Sequence, residues 1–121
     1  MFAKYSAEKV RSHPPATPLL LFFAPHAAHT PLQAREETLS RFDFIQQRGD
    51  KPEHTRQTYA AMIAELDAAI KIVVDAFRDT RLWNNTLCIF VSDNGGPSYL
   101  NGTSGGNNYP HKGGKMSTSS D

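Results

Sequence analysis

The stretch Tyr59-Ala60-Ala61-Met62-Ile63-Ala64-Glu65-Leu66-Asp67-Ala68-Ala69-Ile70-Lys71-Ile72-Val73-Val74-Asp75-Ala76-Phe77 decides how the rest of this chain is read. Met62, Ile63, Leu66, Ala69, Ile70, Val73, Val74 and Phe77 recur at the three-and-four spacing that keeps side chains on one face of an α-helix. Glu65, Asp67, Lys71, Asp75 and Arg78 fall off that stripe. Asp50, with Pro52 and Glu53 behind it, offers an N-terminal cap, and the helix is predicted to end near Thr80.

Outward from the helix lie two short apolar runs, Leu19-Leu20-Leu21-Phe22-Phe23 before it and Leu87-Cys88-Ile89-Phe90-Val91 after it. Neither alternates, so each reads as a strand buried on both faces, as in a parallel sheet. Pro25 closes the first run, and Asn84-Asn85 turns the chain into the second. Strand, crossover helix and strand make a βαβ unit, which is right-handed with parallel strands. The predicted fold class is therefore α/β. A short helix over residues 2–10 precedes this unit, ended by the proline-rich stretch 13–18. From Asp93 to Asp121 Gly, Asn, Ser and Pro dominate, which reads as a long loop or frayed tail.

The chain has 121 residues, the length of one domain. Its 13 basic and 12 acidic residues leave a net charge of +1, which gives no electrostatic reason to expect nucleic acid or an anionic membrane surface as partner. The most apolar run, residues 18–25, is too short to span a bilayer, and residues 1–11 lack the apolar core of a signal peptide. Cys88 is the single cysteine, so no internal disulfide forms, and within its apolar run it reads as a buried small hydrophobe. Asn84-Asn85-Thr86 and Asn101-Gly102-Thr103 are glycosylation triplets, with Asn84 the candidate acceptor.

Parallel strands put their carboxyl ends on one sheet edge, where open α/β folds bind ligands. His26 and His29 follow the first run; Ser92, Asp93 and Asn94 follow the second. Asp93 and Asn94 offer adjacent oxygens of the kind that hard cations take, although Ca²⁺ needs six or more. Asp-Asn-Gly-Gly is equally good turn chemistry. His29 has the chemistry to hydrogen-bond an ester oxygen or protonate a leaving group, and also reads as a solvated loop histidine. Lys115, in a glycine-rich stretch, could reach an anionic oxygen or stand as an exposed lysine. The spacing fits neither a P-loop nor a zinc site.

Taken together, several segments resemble the arylsulfatase branch of the sulfatase family, and its arylsulfatase B-like members above all. They are Pro18-Leu19-Leu20-Leu21-Phe22-Phe23-Ala24, His29-Thr30-Pro31-Leu32-Gln33, Tyr59-Ala60-Ala61-Met62, Leu82-Trp83-Asn84-Asn85-Thr86, Ser92-Asp93-Asn94-Gly95-Gly96, and Gly105-Gly106-Asn107-Asn108-Tyr109-Pro110 running to Gly114-Lys115. The resemblance covers a middle stretch of that family's catalytic domain. It makes residues 1–115 a partial sulfatase domain and 116–121 a divergent tail.

The resemblance implies an alkaline-phosphatase-like fold in which the βαβ unit joins a mixed sheet. It implies calcium-assisted hydrolysis of a sulfuric ester, on a sulfated carbohydrate or aryl sulfate, in a lysosomal or secreted glycoprotein. Asp93 and Asn94 would be calcium ligands, His29 would bond the sulfate ester, and Lys115 would contact the sulfate and bridging oxygen. The family's nucleophile is a formylglycine made from cysteine in a Cys-x-Pro-x-Arg motif. Here Cys88 is followed by Ile89-Phe90-Val91, and Ser12-His13-Pro14-Pro15-Ala16 ends in alanine, so that motif is absent. The family's first pair of calcium-binding aspartates is absent too, and the expectation is a chain inactive alone. Two alternatives stand: a non-catalytic truncated form that binds a partner or sulfated glycan, and a fragment of a related metal-dependent phosphodiesterase or phosphatase, which would carry more Asp and His ligands for transition metals.

Overall fold

The computed structural model describes residues 1–45, 55–97 and 105–117. The described residues contain three α-helices, α1 (Phe2–Arg11), α2 (Glu36–Leu39) and α3 (Thr55–Asp79), with 3₁₀ turns at Ser40–Phe42 and Leu82–Asn85. The chain divides into two units.

The first unit comprises Met1–Ala27 and Glu65–Ile89. Along α1, Ala3, Ala7 and Val10 recur at helical spacing and are buried, while Lys9 and Arg11 sit in the last turn, where cations complement the helix dipole. Ala7 and Val10 join Ala76 of α3 in one buried cluster, flanked by Leu21, Ile72, Phe77 and Leu82. An exposed ion pair, Arg11 Nη2 to Asp79 Oδ2 at 3.1 Å, lies beside it. The end of α3 is set by Thr80, whose hydroxyl donates to the Ala76 carbonyl at 2.8 Å. Arg81 follows with φ 60°, the left-handed turn that ends many helices.

The second unit comprises Ala28–Ala64 and Phe90–Asp121. The amide of Gln57 on α3 donates to the Leu39 carbonyl at 3.0 Å and to Asp43 at 2.8 Å, fixing α2 and the turn after it. Arg56 donates to the Gly105 carbonyl at 2.7 Å. Gly105 has φ +72°, and a Cβ there would lie 2.5 Å from the Thr55 carbonyl oxygen, so this position demands glycine.

The predicted central helix is present as α3, 25 residues long and reaching back to Thr55. The proposed cap at Asp50 and Glu53 lies outside the described residues. Met62 and Val73 of the predicted stripe are buried, joined by Ala61 and Ala76, whereas Ile63 is 41% exposed.

The two apolar runs differ from expectation. Among the described residues neither forms a strand, so the structure shows helices and no βαβ unit. In the first run Leu21 and Phe23 are half-buried while Leu20 and Phe22 are 94% and 89% exposed, a single-sided packing rather than burial on both faces. In the second, Leu87, Ile89, Phe90 and Val91 are all exposed. Cys88 is likewise exposed, which corrects its reading as a buried hydrophobe. The physical reason is common to all three: a strand exists through the ladder it shares with neighbours, and such a run is buried only when sheet neighbours and covering helices flank it.

Candidate functional site

The glycine-rich segments predicted as a loose loop are tied together in the second unit. The Gly96 amide donates to Asn108 Oδ1 at 2.7 Å, and Asn108 Nδ2 donates to the carbonyls of Gly96 and Gly113, each at 2.8 Å. Oδ1 faces an N–H and Nδ2 faces two carbonyls, so the orientation of this amide is fixed by its partners. The Lys115 amide donates to the Gly96 carbonyl at 3.1 Å, closing the clasp. At Gly114 a Cβ would collide with the Gly96 carbonyl and stand 2.5 Å from Asn108 Nδ2, so only glycine lets the two segments meet.

The clasp sets the backbone from which Lys115 projects. Its Nζ lies 3.4 Å from His29 Nε2, across 86 positions of sequence. His29 Nδ1 lies 2.8 Å from the Thr30 carbonyl, which can only accept, so Nδ1 carries the proton and donates. In the neutral ring Nε2 is then a lone pair, and the Lys115 ammonium donates to it. An anionic oxygen entering beside them would take a hydrogen bond from the Lys115 ammonium in place of Nε2, and the imidazole would donate to it only in the form that carries a proton on Nε2 as well.

Asp93 and Asn94 stand close to the clasp in sequence, and both are exposed. Asp93 Oδ1 accepts from the Asn94 amide at 3.0 Å, and Asn94 Nδ2 donates to the Gly95 carbonyl at 2.9 Å. That leaves the second Asp93 oxygen and the Asn94 amide oxygen as hard donors. In kind they are oxygens that Ca²⁺ takes, and two would be part of the six or more it needs. Among the described residues no group of three or more His, Cys, Asp or Glu is gathered for a metal. His26 is exposed. Asn84 is exposed in the 3₁₀ turn, while the second triplet, at Asn101, lies outside the described residues.

Sequence reasoning passed over Asn108. The signal present was its place between two glycine pairs, Gly105-Gly106 and Gly113-Gly114, where a lone side chain can bond the exposed backbone on either side. A cleft of about 460 Å³ opens beside the clasp, walled by Gly96, Pro97, Tyr109, His111 and Lys112.

The family model of the sulfatases matches residues 2–121. The chain belongs to the sulfatase family. The sulfatase chain is 35% identical to arylsulfatase J of Mus musculus over 95% of its own length and 18% of that protein. It is 35% identical to arylsulfatase H of Homo sapiens, covering 81% of itself and 16% of the relative. N-acetylgalactosamine-6-sulfatase of Sus scrofa is 31% identical over 84% of the sulfatase chain and 17% of the pig protein. The chain thus spans less than a fifth of these relatives. Membership implies the alkaline-phosphatase-like fold, sulfate ester hydrolysis as the family's chemistry and sulfated compounds as its substrates. No described helix of the sulfatase chain is long and apolar enough to cross a membrane.

Proposed function

We propose that these residues form one wall of the active site of a sulfuric ester hydrolase acting on sulfated sugars. Lys115 binds the sulfate group through its ammonium, and His29, in the form with a proton on Nε2 as well as Nδ1, donates to the sulfate ester and assists departure of the leaving oxygen. Asp93 and Asn94 contribute two ligands to a calcium site completed from elsewhere in the catalytic domain. Calcium, when bound, neutralises charge on the sulfate. Residues 19–23 and 87–91 become strands of the sulfatase sheet, forming the βαβ unit, once flanking strands are present. Residues 1–115 are the partial domain, Asn84 is a glycan acceptor, and the setting is lysosomal or secreted.

The observation that carries this reading is the meeting of His29 Nε2 and Lys115 Nζ at 3.4 Å. Its test is titration of the 121-residue chain with inorganic sulfate, followed by nuclear magnetic resonance. Sulfate should perturb His29 and Lys115 with a dissociation constant in the roughly millimolar range, a few kcal/mol of binding. Lys115→Ala should abolish the response; an unchanged response would sink the assignment.

The single cysteine favours a second statement about the same site. Cys88 lies outside any Cys-x-Pro-x-Arg motif, so these residues contain no formylglycine position. The 121-residue polypeptide alone should therefore turn over no aryl sulfate. Turnover that vanishes in His29→Ala would overturn that expectation, whereas sulfate binding without turnover fits it.

A further inference from the structure

We infer that Asn108 is the positioning residue of this site, holding the segment after Asp93-Asn94 in register with Lys115. The inference rests on the sulfate-site reading of His29 and Lys115. Three side-chain hydrogen bonds converge on it: one accepted from the Gly96 amide, two donated to the carbonyls of Gly96 and Gly113. Gly96 lies two residues after Asn94, and Gly113 lies two before Lys115. Asn108 thus bonds both segments that carry the proposed anion and cation groups, through one planar amide.

The geometry explains why the residue is an amide. The site asks for one acceptor and two donors in a plane, and only a carboxamide provides both. Aspartate would keep the acceptor but turn a carboxylate oxygen toward two carbonyls. Alanine would remove the side-chain partners of the Gly96 amide and the Gly113 carbonyl and leave the Gly96 carbonyl with the Lys115 amide, in a place where Asn108 and Gly96 are half-buried. The Lys115 amide shares the Gly96 carbonyl, so movement of Gly96 carries the lysine backbone with it. Asn107 is the natural comparison: its Oδ1 accepts from the Tyr109 amide at 2.8 Å, a bond confined to its own loop.

The test is amide hydrogen exchange and sulfate titration on the full 121-residue chain and on Asn108→Ala, Asn108→Asp and Asn107→Ala. In Asn108→Ala the Gly96 and Lys115 amides should exchange about tenfold faster, the scale of one or two net hydrogen bonds. Sulfate affinity should fall by a similar factor. Asn107→Ala should change neither. Asn108→Asp should keep the Gly96 amide slow, since its acceptor survives, yet still lose sulfate affinity. This split is one that general loosening would not produce, and it remains readable if the alanine variant folds poorly.

Equal exchange at Gly96 and Lys115 in the parent and in Asn108→Ala would overturn the inference. So would faster exchange with unchanged sulfate affinity, because the clasp would then be structural alone. Failure of the parent chain to bind sulfate, with the exchange pattern as expected, would confirm the clasp and instead overturn the sulfate reading of His29 and Lys115.

Discussion

At the scale of single residues, the chemistry turns on which nitrogen of His29 holds a proton. The Thr30 carbonyl claims the Nδ1 proton, and Nε2 is left to face Lys115 as an acceptor. Glutamine at position 29 cannot donate from two separate nitrogens, to the Thr30 carbonyl on one side and to a sulfate oxygen on the other, as the ring protonated at both can. His29→Gln should therefore weaken sulfate binding by about 1 kcal/mol, the worth of one hydrogen bond, in the same titration. Gly114→Ala should destabilise the clasp by about 1–3 kcal/mol through collision with the Gly96 carbonyl, read as faster exchange at Lys115. Val10, the largest wholly buried side chain among the described residues, should cost about 2 kcal/mol on truncation to alanine, read as a shift in the urea midpoint. His29 and Lys115 were readable from the sequence only through their resemblance to a family, because nothing local to either residue announces a partner 86 positions away. Asn108 was not readable even so, since an asparagine among glycines looks like turn chemistry until the chain folds back on it.

At the scale of elements, α3 and the apolar runs show why one kind of structure is legible and another is not. A helix closes its hydrogen bonds within itself, so the spacing from Met62 to Phe77 was enough to find it. A strand borrows its bonds from a neighbour, and composition cannot say whether the neighbour is present. The end of α3 falls within a residue of Thr80, where the spacing predicts it, while the cap expected at Asp50 and Glu53 lies outside the described residues. Ala69→Pro, in the middle of α3, should remove about 3 kcal/mol or more of stability and a visible share of the helical circular dichroism signal. The Arg11–Asp79 pair presents the opposite case. Its side chains are 50% and 60% exposed, so Asp79→Ala should change stability by less than about 1 kcal/mol, and less still in high salt.

At the scale of the whole molecule, the family match and the exposed apolar side chains point the same way. Leu20, Phe22, Leu87, Ile89, Phe90 and Val91 face solvent in a chain that spans less than a fifth of its relatives. Side chains of this kind in sequence clusters are apolar surface that a folded domain covers. Isolated, the chain should bind a hydrophobic dye and self-associate, and Phe22→Ser with Phe90→Ser should reduce both, as followed by light scattering. Calcium affinity belongs to this scale too. With Asp93 and Asn94 supplying two oxygens toward a shell of six or more, calorimetry should find binding no tighter than roughly millimolar.

Cys88 gives that exposed run a clock. It is the one thiol in the sequence and it stands open to solvent, so a maleimide reagent has a single place to react. Its labelling half-life measures how often the run 87–91 is uncovered. Fast labelling of the isolated chain, slowed when the remainder of a sulfatase domain is supplied alongside it, would time how quickly an open apolar ribbon finds cover.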